Sequence, residues 1–550
     1  MHYFSIYGSI PRSLLIHNDC YKDFLLVLIM KVGNAMKNIS SLRKNNKYKY
    51  ELLQSANYLE QPIISVITPV FNNEKTIQKT IESVLQQSIM TQIEYILIDD
   101  GSKDQTRSIL KKFVNEHPNI KLALLAKNTG TPGYPRNLGI ELSSAPYLTF
   151  LDADDWFEKT GLEKLYSVLN ETDDDYIVGK TIKVTSKKNA IVGEHESWKE
   201  RRSIPPASIP HIFHHLGPRA RLMKSSIIKQ NQIQFPEMKY GEDKQFFMEV
   251  LTNCKKISTT ESVIYYLNRL DDNDESLTKQ TNVLNKMHCN RKVINYFKEK
   301  EMDSELKRMV LNRLYEFDCF NRFINRYHTL RTENNQTFKG KLDEFLKRKA
   351  YISTMKKMLR TTSSLDYEIC DHFYHPYNKV CYQLFSQKRY KDIETLFRWM
   401  SQEKIKKHVV KDDTAYWVSP LSPPYNFIRV PMYAELINCE YTNGFFRFDI
   451  RIAGDHPKEV EHLLFRDRNN IHNQFMFPIE PYEGALKRIM VPEAFFTALG
   501  KSVYTIYLSY RDYHKVQLHI PNPKLRLKKQ QTDKQHFYKT IHNHLALKVL

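Results

Sequence analysis

The stretch Phe150-Leu151-Asp152-Ala153-Asp154-Asp155-Trp156 decides how this chain is read. Three carboxylates fall within four residues, directly after the apolar run Pro146-Tyr147-Leu148-Thr149-Phe150-Leu151. That run predicts a buried strand, and buried strands tend to end at functional loops. Carboxylates packed so closely repel one another unless a cation offsets them. A divalent metal that also holds a diphosphate is the economical explanation, since Mg²⁺ and Mn²⁺ favour oxygen ligands. Taken alone, the run reads equally well as a solvated acidic turn, so its surroundings decide.

Upstream, strands and helices alternate. Ile63-Ile64-Ser65-Val66-Ile67-Thr68 is a β-branched strand that ends at Pro69-Val70-Phe71-Asn72-Asn73. A helix is predicted from about Glu74 to Gln87, with Ile77, Ile81, Val84 and Leu85 at intervals of three and four. The strand Ile93 to Ile98 ends in Asp99-Asp100-Gly101-Ser102, and Thr106, Ile109, Leu110 and Phe113 mark the next helix. A strand from Lys121 to Leu125, a loop from Asn128 to Pro135 and a helix from Arg136 to Leu142 lead to the strand before Asp152. This rhythm implies an α/β unit with a mostly parallel sheet and helices on its faces. Ligands bind at the carboxyl ends of such strands, and the three polar turns fall there.

The rest of the chain changes character twice. Residues 1–60 show no clear pattern beyond the apolar run Phe24 to Met30, and residues 61–290 carry the α/β pattern. Residues 291–418 read as helical, with Leu306, Met309, Val310, Leu314 and Phe317 at helix spacing and a basic run from Lys341 to Lys349. Three prolines between Ser419 and Pro424 predict a linker. Beyond it the period becomes two, as in Phe446, Phe448, Ile450 and Ile452 and in Tyr504, Ile506, Leu508 and Tyr510. Residues 425–550 therefore predict a β-sandwich with a basic tail.

A chain of 550 residues is too long for one core. Its net charge of +20 favours anionic partners. No nucleic-acid motif accompanies that charge, so a polyanionic substrate or an anionic membrane face is the better expectation. The seven cysteines are scattered without a CxxC pair, which suits free thiols in a reducing, cytoplasmic setting. Cys370, His372, His375 and Cys381 match no standard zinc spacing. The run Phe24 to Met30 is far short of the roughly 20 residues of a membrane-spanning helix and makes a poor signal peptide. Met30, ahead of a Lys-rich segment, is a candidate start.

Together the motifs resemble the family 2 glycosyltransferases of GT-A fold. The resemblance rests on Ser65 to Asn72, on Ile98-Asp99-Asp100-Gly101-Ser102 and on Phe150 to Asp155. Asn128-Thr129-Gly130-Thr131-Pro132-Gly133-Tyr134-Pro135-Arg136-Asn137 and Tyr240-Gly241-Glu242-Asp243-Lys244-Gln245-Phe246-Phe247 are similar to the enzymes that attach N-acetylglucosamine to wall teichoic acid in Gram-positive bacteria. The resemblance implies a UDP-sugar donor, with Pro69 and Phe71 under the uracil ring and Asp100 accepting a hydrogen bond from it. It puts Arg136 near the diphosphate, Asn137 among the nucleotide-sugar-binding residues, Asp152 at the ribose or a metal-bound water, and Asp154 on Mn²⁺ or Mg²⁺. It makes Asp243 the general base of an inverting transfer and gives Glu242 a share in binding sugar or acceptor. By itself, Glu242-Asp243 reads as an acidic pair favoured at a helix N-terminus.

The acceptor implied is an anionic cell-wall polymer. A capsule or other polysaccharide, a minor teichoic acid polymer and a non-catalytic carbohydrate-binding protein are the alternatives. Peripheral contact with the membrane and self-association through the C-terminal domain are further expectations. Arg219, Arg221 and Lys224 read either as contacts to an acceptor phosphate or as a solvated basic turn. His211, His214 and His215 suggest a metal site, but read better as lining a loop near the acceptor groove or facing solvent. Trp417 and the tyrosines of the C-terminal β-domain are candidates for stacking on sugars, though at strand spacing they more often serve the core.

Overall fold

The computed structural model describes residues 41–44, 48–187, 189–270, 282–322, 338–480, 486–522, 525, 527 and 534–550. The run Phe24 to Met30 and the candidate start lie outside them. The predicted alternation is present as β1 (Ser41–Lys44), β2 (Lys49–Gln54), β3 (Ile64–Val70), α1 (Ile77–Leu85), β4 (Ile93–Asp99), α2 (Thr106–Glu116), β5 (Ile120–Leu125), α3 (Gly133–Leu142) and β6 (Tyr147–Phe150). There follow β7 (Trp156–Phe157), α4 (Gly161–Thr172), β8 (Tyr176–Val184), β9 (Ala190–Val192), β10 (Arg201–Ile204), β11 (Arg221–Lys224), α5 (Ser225–Gln230), α6 (Glu242–Asn253) and β12 (Ile257–Asn268).

The strands join one sheet in the order β1-β2-β5-β4-β3-β6-β11-β8-β12-β10, with β7 on β12 and β9 on β8. The centre β5-β4-β3-β6 is parallel, while β2 and β11 flank it antiparallel, so the sheet is mixed. β4 and β5 step away on one side of β3 and β6 on the other. That reversal of direction opens a crevice at the carboxyl ends of these strands. Alternate residues feed two cores: Ile64, Val66 and Val70 pack with α1, α2 and α4, while Ile67 packs with α3 and α6. β2 buries Tyr50 and Leu52 in this unit, although the sequence leaves its segment unassigned. A lone edge strand offers too few alternations to read.

The helical part comprises α7 (Val283–Glu299), α8 (Ser304–Arg313), a π-helical turn at Leu314–Asn321, α9 (Phe338–Arg360), α10 (Pro376–Ser386) and α11 (Tyr390–Gln402). It shares one core with the underside of the sheet, running from Phe246 and Phe247 through Ile294 and Leu314 to Leu396. The predicted linker is corrected. β13 (His408–Lys411), β14 (Thr414–Val418) and β15 (Phe427–Val430) form an antiparallel sheet, and Ser419 to Pro424 merely turns from β14 into β15. Leu421, Tyr425 and Ile428 are buried in the helical core, so the chain is anchored here rather than loose. Trp417 donates from Nε1 to His408 at 2.9 Å and faces Trp399 across 6.3 Å, a packing role rather than a sugar platform.

The C-terminal part contains β16 (Met432–Thr442), β17 (Phe445–Gly454), β18 (Val460–Asp467), β19 (Gln474–Pro478), β20 (Leu486–Pro492), β21 (Ser502–Tyr510), β22 (His514–His519), β23 (Gln535–Lys539) and β24 (Leu545–Val549). Phe446 and Phe448 of β17 meet Phe537 of β23, closing two layers over a core that takes in Tyr504, Ile506 and Leu508. The period-two reading is thus met by a sandwich. Among the described residues, no helix is long and apolar enough to cross a membrane.

Candidate active site

The crevice is built by turns that brace one another. After β3, Asn72 takes a positive φ of 51°, donates from its amide to Ser102 Oγ at 2.9 Å and accepts from the Lys103 amide at 2.9 Å. Pro69 is half-buried and Phe71 is 43% exposed, so the Phe71 ring is free to receive a flat ligand. After β4, the buried Asp99 accepts from Ser102 N and from Arg107 Nε, the latter at 2.6 Å, and shapes the turn. Gly101 sits at φ 77°, and a Cβ there would lie 2.6 Å from the Asn128 nitrogen. Glycine is therefore required for both conformation and space.

Asp100 is buried. Both of its oxygens accept from Thr129, at 2.9 Å from the amide and 2.9 Å from the hydroxyl. Burial pushes its carboxyl up to about 6 despite those bonds. The Asn137 side-chain nitrogen donates to the Phe235 carbonyl at 2.9 Å and its oxygen accepts from the Phe235 amide at 2.8 Å. These two bonds strap α3 to the loop before α6.

At the end of β6, Asp152 is half-buried and takes Arg136 Nη2 at 2.8 Å. Arg136 Nη1 lies 3.5 Å from Glu242, and the guanidinium stands 5.3 Å from the Phe235 ring. Burial opposes its charge, but Asp152, Glu242 and Asp243 more than offset this and hold it protonated. Arg136 Nε and Nη1 are buried without a hydrogen bond, Nη1 having only the longer ion pair with Glu242. Glu242 is buried, and its carboxyl is raised by burial and then by neighbouring Asp243. Asp243 is half-buried and accepts from the Lys244 amide at 2.7 Å. Asp152, Arg136, Glu242 and Asp243, drawn from three separate motifs, thus stand around one guanidinium.

The three carboxylates of the central run separate into two roles. Asp155 is buried, accepting from Tyr265 Oη at 2.7 Å and from the Asn268 amide at 2.7 Å. Its carboxyl lies well above the usual range, first from burial and then from Asp154 and Asp152. Thr80 Oγ1 donates to the Ala153 and Asp155 carbonyls at 3.0 and 2.8 Å, pinning the turn to α1. Asp154 is half-buried on this turn. Among the described residues, no group of three or more His, Cys, Asp or Glu side chains is arranged to hold a metal ion. One or two carboxylates plus the phosphates of a substrate are, however, the donor set Mg²⁺ ordinarily takes, and Asp154 with Asp152 fits that set. Tyr265, Asn268, Thr80 and Thr129 escape the sequence reading because each sits in a strand, helix or loop pattern with nothing to single it out.

Other expected contacts are elsewhere. Arg221 is fully buried, bonded to Glu196 at 2.7 Å and to the Gly217 and Arg219 carbonyls at 2.7 Å each, so it is structural. Lys224 pairs with Asp173 at 2.8 Å and lies opposite Tyr147, at the start of β6, which is the far end of the sheet from Asp152. Both are thus committed to partners within the protein. His211, His214 and His215 are half-buried rather than solvent-facing. His211 stacks on His214 at 4.4 Å and meets Tyr374 at 4.6 Å and His514 at 5.5 Å, where the α/β, helical and C-terminal parts join.

Comparison with known proteins bears on the family and the fold. The model of the Glycosyl transferase family 2 family matches residues 65–231. The poly(ribitol-phosphate) beta-N-acetylglucosaminyltransferase TarP of Staphylococcus aureus is 35% identical over 210 residues, 37% of this chain and 62% of TarP. An uncharacterized glycosyltransferase of Haemophilus influenzae is 31% identical over 220 residues, 38% of this chain and 77% of that protein. The crystal structure of S. aureus TarS superimposes with a TM-score of 0.54 at 17% identity, covering 89% of this chain and 85% of that one. TarS 1–349 in complex with UDP-GlcNAc gives 0.52 at 20% identity, covering 66% of this chain and 99% of that one. The match to TarP takes in less than two thirds of its length.

Proposed function

The chain belongs to glycosyl transferase family 2, and on that premise we propose that it is an inverting transferase that moves a sugar from a UDP-sugar to a hydroxyl of an anionic cell-wall polymer such as wall teichoic acid. N-acetylglucosamine is our choice of sugar and a poly(ribitol phosphate)-type chain our choice of acceptor, supported by the names of TarP and of the TarS complex. The observation that carries the reading is the gathering of Asp152, Glu242 and Asp243 around Arg136 at the carboxyl edge of the parallel strands.

In this reading Phe71 and Pro69 support the uracil, Asp100 accepts from it, and the Arg136 guanidinium lies near the diphosphate. Asp243 takes the proton from the acceptor hydroxyl as its oxygen attacks the anomeric carbon opposite UDP. Asp154, with Asp152 beside it, would hold Mn²⁺ or Mg²⁺, which when bound would neutralise the charge growing on the leaving diphosphate. The net charge of +20 favours a polyphosphate acceptor and the anionic inner face of the membrane, so we place the enzyme in the cytoplasm at that surface.

Two substitutions test the roles. Asp243→Asn keeps shape but cannot take a proton, so turnover should fall by roughly two to four orders of magnitude with UDP binding kept. Wild-type turnover would move the base elsewhere, Glu242 being the next residue to test. Asp154→Ala should weaken UDP binding and abolish metal-dependent transfer. Full activity in excess EDTA would overturn the metal assignment.

A further inference from the structure

The residue after the proposed base is tied to a different part of the molecule. α6 is preceded by Gly241, in a left-handed conformation at φ 81°, with no side-chain cap to fix its first turn. Lys244 is buried, and its ammonium reaches Asp318 at 2.9 Å and Asn290 Oδ1 at 3.0 Å. Asn290 in turn donates to the Asp318 carbonyl at 2.8 Å. Both belong to the helical part, Asn290 to α7 and Asp318 to the π-helical turn.

Asp318 is a hub for cations. It is buried, pairs directly with Arg313 and lies 3.7 Å from Arg322. Arg313 also donates to the Phe213 carbonyl at 2.7 Å, and Arg322 donates to the Tyr240 hydroxyl. The Tyr240 ring is flanked by Lys244 at 4.9 Å, Arg322 at 5.1 Å and Lys286 at 5.4 Å. The residue before Gly241 and the residue after Asp243 are thus held by the same cluster. Burial alone would push the Asp318 carboxyl up, but Arg313 and Lys244 hold it below the usual range. Buried ion clusters contribute little stability that apolar packing would not. What such a cluster adds is a fixed arrangement, and π-helical turns often sit at functional sites.

We infer that Asp318 is a positioning residue for the transfer: by anchoring Lys244 it fixes the first turn of α6, and with it the Asp243 carboxylate, on the acceptor side of the site. The inference rests on the reading of Asp243 as the base. It places a residue of the helical part, outside every motif of the α/β unit, in control of the geometry of proton removal.

The test is Asp318→Asn in the full chain, alone and combined with Asp243→Asn. It is assayed with UDP-N-acetylglucosamine and poly(ribitol phosphate) and checked for folding by thermal melting and UDP binding. A displaced base should lower kcat by about 10- to 100-fold while donor KM and UDP affinity stay within about threefold. In the Asp243→Asn background the same change should cost no more than about threefold further, since the two act as one unit. Wild-type kcat in folded Asp318→Asn, a rise in donor KM in place of the fall in kcat, or a loss repeated in full on Asp243→Asn would overturn the inference. Should Asp318→Asn fail to fold, Asn290→Ala removes the other partner of Lys244. A several-fold drop in kcat at unchanged KM is then expected, and an unchanged kcat counts against. Failure of the base assignment looks different, because Asp243→Asn would itself turn over normally.

Discussion

A buried guanidinium needs counter-charge, and Arg136 has Asp152 at 2.8 Å and Glu242 at 3.5 Å. Removing the cation would leave two carboxylates facing each other with Asp243 close by. Arg136→Met should therefore cost about 3–5 kcal/mol of stability in chemical denaturation, the usual penalty for breaking a buried pair from one side. It should also weaken UDP binding. A variant with wild-type stability would show that the pair is not held as described. Asp100 gives a second test, in pH. Its carboxyl is raised to about 6, so the ionised form that accepts a hydrogen bond is lost as pH falls through that value. UDP affinity should be lower at pH 5 than at pH 7.5, and Asp100→Asn should flatten that dependence. An unchanged slope in Asp100→Asn would assign the effect to another group.

The elements carrying the site were legible in the sequence because each motif closes a strand with its own pattern. β-branched Ile64 to Thr68 ends at Phe71, Ile93 to Ile98 at Asp100, and Tyr147 to Leu151 at Asp152. What was not legible is the bracing between elements. Tyr265 alternates along β12 like any core residue, yet its hydroxyl donates to buried Asp155 at 2.7 Å and accepts from the Asp152 amide at 3.3 Å. Nor does sequence spacing separate Asp155, a structural anchor, from Asp152 and Asp154. Tyr265→Phe should leave the buried Asp155 short of a donor, at about 1–3 kcal/mol by denaturation. It should also slow transfer by letting the turn that carries Asp152 and Asp154 shift. Unchanged stability and rate would mean that Thr80 and Asn268 hold the turn unaided.

In the molecule as a whole, the three parts meet at one joint. Glu194 pairs with Arg466 and with Lys515, the latter at 2.7 Å, and Asp512 pairs with Arg201 at 2.9 Å. His195, His211, His214, His375 and His514 crowd beside them, with Arg221, Arg313, Arg201 and Arg511 facing the group. Burial and then neighbouring positive charge lower His195 and His211 to about 3. The unfolded chain therefore binds more protons between the ordinary histidine value of about 6.5 and that limit. The stability that the neutral rings supply is complete above about pH 6.5 and falls as the medium is acidified. Asp100, Asp155 and Glu242, raised in the fold, gain protons over the same range and act in the opposite direction, so the histidine share is read as a difference. Thermal melting of the wild type and of His195→Phe between pH 7 and pH 5 should show a smaller loss in the variant, and identical profiles would contradict the burial. The sequence placed the second domain by its period of two but set its boundary at the prolines, because prolines mark a turn as readily as a linker. The chain should accordingly tolerate a break between Val430 and Met432 better than one at Ser419, which removes the buried Tyr425 and Ile428. The central claim is a single displacement with Asp243 as base. Its most direct test is the anomeric configuration of the sugar that the full chain adds to poly(ribitol phosphate) from an α-linked UDP-sugar, read by NMR. A β-linked product is predicted; an α-linked product would contradict it.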